Sequence, residues 1–202
     1  MSIALVDYGA GNLTSVIKAF KVLGADLRVV STVDGTTDAR AIVVPGVGHF
    51  SATASLGPEW RTAVQSALGR GVPLLGICLG LQWLFEGSAE APETPGLGLI
   101  QGRCFRIEGD VKVPHVGWNS LTLDDRPSHL FAGVPSESSA YFTHSYAAPV
   151  VAQTIATTTH AVPFSSAIEH GIVFGAQFHP EKSGKTGLKM LSNFLRVVQE
   201  AS

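Results

Sequence analysis

Few features that usually announce a function are present in this sequence. Two cysteines, Cys78 and Cys104, among 202 residues are too few for a disulfide framework, and without a sign of export no staple between them is expected. Charged residues make up 15% of the chain and the formal net charge is -2. That balance excludes both the polar excess of a disordered chain and the basic field that seeks nucleic acid. The N-terminus has no positive segment leading into a long apolar stretch, which argues against a secretory signal. The longest apolar run, residues 72–85, is broken by Pro73, Gly76, Gly80 and Gln82 and falls short of the roughly 20 residues a bilayer needs, so no membrane association is expected. Repeats, charge blocks and linker-like tracts are also missing. The expectation is a cytoplasmic chain forming one domain over residues 1–202, long enough to bury a core without metal or disulfide.

What is present is a change of rhythm. The first half alternates apolar runs with helical patterns, as parallel strands joined by crossover helices do. Strands are predicted at residues 3–7, 27–30, 41–44 and 74–77. Asn12 is placed to cap a helix carrying Val16, Ile17, Phe20 and Leu23 on one face up to Gly24. A second helix starts after Pro58 and ends near Gly69. Beyond Gly96 the runs become short and β-branched, predicting strands at 99–107, 120–123, 151–158, 164–169 and 172–178. His170 and Gly171 between the last two indicate an antiparallel hairpin. Leu188, Leu191, Phe194, Leu195 and Val198 mark a final amphipathic helix. The fold class is α/β, with a mixed, mostly parallel central sheet flanked by helices.

Gly76-Ile77-Cys78-Leu79-Gly80 places a cysteine directly after an apolar strand and before the helical pattern of Leu81, Leu84 and Phe85. This is the strand-to-helix bend of a nucleophile elbow, with cysteine for serine. Small neighbours let backbone come close to a strained central residue, and the helix N-terminus behind the thiol favours thiolate. Locally, the same pattern also suits a buried structural cysteine. Cys104, inside an apolar strand pattern without turn glycines, is assigned to packing.

Phe178-His179-Pro180-Glu181 follows the last predicted strand, where α/β folds collect their functional groups. Extended spacing directs His179 and Glu181 to one side, so the carboxylate can orient an imidazole acting as base. Alone, the tripeptide also fits a surface turn. Pro45-Gly46-Val47-Gly48 supplies a flexible turn after the third strand whose Val47 N–H can face a ligand or an oxyanion. Gln82 lies one helical turn after Cys78 and faces the same way. Tyr141 to Tyr146 form a dense polar and aromatic stretch, and residues 112–119 read as an irregular loop bearing Trp118. Asp7-Tyr8-Gly9-Ala10-Gly11-Asn12 suggests a dinucleotide loop but fails in detail, since the third glycine would fall at Thr14.

Taken together, GICLGLQ, FHPE, DYGAGNLTS, PGVGHF, KVPHVGWN and YFTHSY, spread over nearly the whole chain, closely resemble the class I, triad-type glutamine amidotransferases. The last four of these motifs are similar to those of the glutaminase subunits of imidazole glycerol phosphate synthases. The resemblance implies a flavodoxin-like architecture with Cys78 as nucleophile, His179 as base and acid, and Glu181 as its orienting partner. It implies Leu79 and Val47 as oxyanion donors and Gly46, Gly48, Gln82, His144, Ser145 and Tyr146 as glutamine-binding positions. Asn12, His115, Trp118 and Asn119 would face a separate (β/α)₈-barrel cyclase in a heterodimer, with no cofactor and no metal. Leu81, where methionine is common in the family, is a small departure. Two other readings stay open: a glutaminase serving a different synthase, and a non-enzymatic α/β interaction module with Cys78 in its core.

Overall fold

The computed structural model describes residues 2–201. In chain order the elements are β1 (Ile3–Val6), α1 (Leu13–Val22), β2 (Leu27–Val30), β3 (Ala41–Val44), α2 (Pro58–Gly69), β4 (Leu74–Ile77), α3 (Leu79–Leu84), β5 (Phe85–Ser88) and β6 (Ala91–Pro95). They continue as β7 (Ile100–Arg106), β8 (His115–Leu123), β9 (Ser138–His144), β10 (Tyr146–Ala147), β11 (Thr154–His160), β12 (Val162–His170), β13 (Val173–Ala176) and α4 (Gly184–Glu200).

Nine strands form one sheet in the order β2-β1-β3-β4-β13-β12-β11-β8-β9. The half from β2 to β13 is parallel, and from β13 to β9 every pairing is antiparallel. A smaller sheet, β10-β7-β5-β6, lies beside it.

Strand alternation explains the layering. Ile3, Leu5 and Val43 join α1 and α4, through Phe20 and Phe194, in one core. Ala4, Val6, Ile42 and Val44 face the opposite way and pack with Trp60 and Val64 of α2 and Leu81 and Trp83 of α3. The central strands are thus buried on both faces, which is why they read as continuous apolar runs. Burying a side chain of this kind stabilises the fold by about 1.5–3 kcal/mol. Asn12 caps α1 by accepting from the Ser15 N–H at 3.2 Å, as its position predicts. No helix among the described residues is long and apolar enough to cross a membrane.

Several predicted boundaries need correction. Residues 115–119, expected as loop, are strand, because each pairs across to β9 from His115↔His144 to Asn119↔Ala140. Phe85 leaves the helix and opens β5. The strand expected from 151 starts only at Thr154. Before it, the Val151 N–H donates to Thr154 Oγ1 and the Thr154 N–H to the Val151 carbonyl, closing a local turn that competes with the ladder.

Candidate active site

Four chain segments reach the same end of the parallel half, each just past the carboxyl end of a strand: Tyr8 after β1, Gly46 after β3, Cys78 after β4 and His179 after β13. Ligand sites of open α/β sheets gather in this position.

Cys78 sits at φ 52°, ψ -104°, a conformation an L-residue holds only at a cost of about 1–3 kcal/mol. Contacts on both sides sustain it. The Cys78 N–H donates to the Ala176 carbonyl at 2.7 Å and its own carbonyl accepts from Gln82 N–H at 3.1 Å. The flanking glycines are demanded by close approach: a Cβ on Gly80 would stand 1.8 Å from the Val44 carbonyl oxygen, and one on Gly76 2.5 Å from the Gly80 oxygen. Cys78 is 5% exposed, and that sliver opens into a cavity of about 200 Å³. Gly48, Cys78, Leu79, Gln82, Glu90, Pro114 and residues 143–146 line it. The cavity has room for one small polar molecule.

The His179 Nδ1–H donates to Glu181 Oε1 at 2.9 Å, both side chains being buried. That bond leaves Nε2 as the ring's exchangeable position, and Nε2 has no hydrogen-bond partner. Burial alone would lower the imidazole's pKa, but the neighbouring Cys78 sulfur and Glu181 carboxylate outweigh it and raise the group from 6.5 to about 10. Ser183 secures the turn, donating from Oγ to the His179 carbonyl at 2.7 Å and accepting the Tyr141 N–H at 2.9 Å.

The other residues singled out from sequence fall into three groups. Gln82, Gly48, His144, Ser145 and Tyr146 line the cavity. The Gln82 amide spends both N–H bonds internally, on the Tyr146 carbonyl at 2.8 Å and Gln177 Oε1 at 3.1 Å, so toward a ligand only its oxygen is free to accept. Gly46, Val47 and Asn12 instead line a very small void beside His179 and Glu181. The Leu79 N–H, one expected oxyanion donor, is engaged by the Gly46 carbonyl at 3.3 Å. The third group lies on β8. Trp118 is 58% exposed and, with Val116, forms an apolar surface pair on one face of the strand. His115, although expected at the same surface, is buried.

His115 belongs to a polar chain. His144 Nδ1–H donates to the Tyr146 carbonyl at 2.9 Å, which makes its Nε2 the acceptor for His115 Nδ1–H at 3.2 Å. His115 Nε2 in turn accepts from Asn119 Nδ2 at 3.3 Å. This arrangement needs both rings neutral. Burial, with His160 beside it, lowers His115 to about 4, and burial together with His115 lowers His144 to about 3.

Two residues near the sulfur were not singled out from sequence. Tyr8 has a buried hydroxyl with no hydrogen-bond partner, packed so close to Gly46 that a Cβ there would come within 2.2 Å of it. Burial and the Cys78 charge push the Tyr8 phenol well above its usual range. Gln177 is fully buried and donates from Nε2 to the Cys78 sulfur at 3.6 Å. Neither contact has a local sequence signal, since each is made only when distant strands meet.

A cysteine on a strained bend beside a cavity, with a carboxylate-oriented imidazole nearby, is an arrangement suited to nucleophilic cysteine chemistry. Residues 4–198 match the family glutamine amidotransferase class-I, and the chain belongs to that family. It is 43% identical over 203 residues to a Moorella thermoacetica protein named imidazole glycerol phosphate synthase subunit HisH, covering 98% of this chain and 96% of the relative. A Deinococcus radiodurans protein of the same name is 45% identical over 206 residues, covering 98% and 95%. Among solved structures, PurLQS from Thermotoga maritima superposes with a TM-score of 0.76 at 18% identity, covering 96% of this chain and 97% of that one. That likeness speaks for the fold alone.

Proposed function

We propose that this chain is the glutamine-hydrolysing subunit of an imidazole glycerol phosphate synthase, working in the cytoplasm and passing ammonia to a (β/α)₈-barrel cyclase for histidine biosynthesis. The observation that carries the reading is Cys78, held at positive φ on the lining of the cavity and beside the buried, hydrogen-bonded His179–Glu181 pair.

In this reading the Cys78 sulfur attacks the side-chain amide carbon of glutamine. The carbon–nitrogen bond then breaks as His179 gives its proton to the nitrogen, and ammonia leaves. Water adds to the resulting thioester, returning a proton to His179, and the carbon–sulfur bond breaks to release glutamate. Glu181 keeps Nδ1 protonated and the ring aligned throughout. The free Gln82 oxygen suits the α-ammonium of the substrate, and residues 143–146 close over its far end.

The Gly46 carbonyl on the Leu79 N–H supports a resting state in which an oxyanion donor is occupied. Losing one such donor costs roughly 3 to 4 kcal/mol of transition-state stabilisation, so turnover by the isolated chain should be slow. Rotation of the Gly46–Val47 peptide would free Leu79 and present the Val47 N–H together. Docking of the cyclase against Asn12, Trp118 and Asn119, with His115 buried behind them, is the proposed trigger.

The test is to mix the purified chain with the barrel cyclase and follow glutamate release with and without the cyclase's nucleotide bound. Low release alone and strong stimulation in the loaded complex are expected. Equal turnover in all mixtures would reject the gating, whereas stimulation only by a different synthase would reassign the partner. Release in none of them would reject the glutaminase reading itself.

A further inference from the structure

Gln177 takes no part in the triad, yet it touches the sulfur. It directly follows β13, and its backbone N–H is anchored on the Ser166 carbonyl of β12 at 2.8 Å. Along the extended chain that leads to His179, residues 177 and 179 project to the same side while Phe178 turns into the core. The amide and the imidazole thereby approach Cys78 together.

The orientation of the Gln177 amide is determined by its neighbours. Gln82 has two N–H donors, one on the Tyr146 carbonyl and one on Gln177 Oε1. The Gln177 oxygen is therefore committed as an acceptor, and its NH₂ is turned to Cys78 Sγ at 3.6 Å. In a dry site an N–H aimed at sulfur favours its charged form over its neutral one. It also restrains the χ1 rotation that would swing the sulfur out of the cavity.

We propose that Gln177 is a positioning residue for the nucleophile: its side-chain amide, locked by Gln82, holds the Cys78 sulfur toward the cavity and donates to the charge that attacks the substrate. The proposal rests on Cys78 being the nucleophile. Ligand contact at Gln82 then bears on the sulfur through a single intervening amide, so an occupied cavity and a correctly held nucleophile are linked.

Gln177→Met removes the donor at nearly constant length, and Gln177→Glu keeps the shape and the acceptor for Gln82 while removing the NH₂. The measurement is the rate of Cys78 alkylation by iodoacetamide between pH 6 and pH 9, on the isolated chain with Cys78→Ala as the blank. Losing a charge-assisted hydrogen bond should slow alkylation at neutral pH about 10-fold and move its pH profile. In complex with the cyclase, glutaminase kcat should fall by a similar factor with little change in KM, while synthesis from ammonium salts continues and reports intact folding. Gln82→Met, which releases the Gln177 amide to rotate, should reproduce the slower alkylation. An unchanged rate and profile in both Gln177 variants would overturn the proposal even if kcat fell. Failure of iodoacetamide to label wild-type Cys78 would instead overturn the nucleophile assignment on which it depends.

Discussion

Cys78 and Cys104 are both free and both buried, and the regions around them differ in nearly everything else. Cys104 lies within β7, in ordinary strand backbone, and donates its weak S–H to the Gln82 carbonyl at 3.9 Å. Burial pushes its thiol well above the usual cysteine range. Cys78 sits on a positive-φ bend at the end of β4, with an amide donor, the His179 imidazole and a cavity beside it. Burial alone thus makes a cysteine inert. On the proposed reading, what makes one usable is backbone that turns it out of the sheet and polar neighbours within reach of its sulfur.

The largest test of that contrast is deletion of each sulfur. Cys78→Ala should lower glutamate release by at least about 1,000-fold while the complex still synthesises product from ammonium salts. Cys104→Ala should leave turnover nearly unchanged. Loss of ammonium-driven synthesis in the first variant would show that Cys78 is needed for folding or assembly rather than chemistry.

Next comes the bend itself. With a Cβ only 1.8 Å from the Val44 carbonyl oxygen, Gly80→Ala should destabilise the protein by about 3 kcal/mol, read from the urea midpoint. A loss below about 1 kcal/mol would mean that the turn is looser than the contacts imply.

The smallest effect concerns His179. Because the fold raises this imidazole from 6.5 to about 10, its contribution to stability is complete below about pH 6.5 and disappears as pH rises through about 10. Cys78→Ala removes one of the charges that raise it, so the NMR titration of His179 should move down and the alkaline fall in stability should flatten. The same titration in Cys104→Ala should match wild type.

The parallel half was largely legible in the sequence because its strands are short apolar runs punctuated by glycine and proline. β2, β3, β4 and α2 begin and end where the pattern puts them. The antiparallel half was harder. His115 to Asn119 become strand through partners some 21 to 29 positions away on β9, and their mixed polar and aromatic character carries no clear period. β5 and β6, with Gly87, Pro92 and Pro95, have weak strand character, and pairing alone defines them. At the site, the local patterns around Cys78, His179, Glu181 and Gly46 were each ambiguous alone, and only their combination marked these residues as candidates. Gln177 and Tyr8 did not, because an amide 99 positions from the sulfur and a phenol with no partner acquire meaning only in three dimensions.

Strand β13 bonds to a parallel neighbour on one edge and an antiparallel neighbour on the other, in registers set by Ala176↔Ile77 and Ala167↔Ala176. Side chains alternate along it, so a slip of one position would aim Phe178 at the sulfur and send Gln177 and His179 into the hydrophobic layer. Two ladders of opposite sense must break together for that to happen. The phasing of the groups around the sulfur is therefore guarded by main-chain pairing, which evolution can preserve while freely rewriting the surfaces around it.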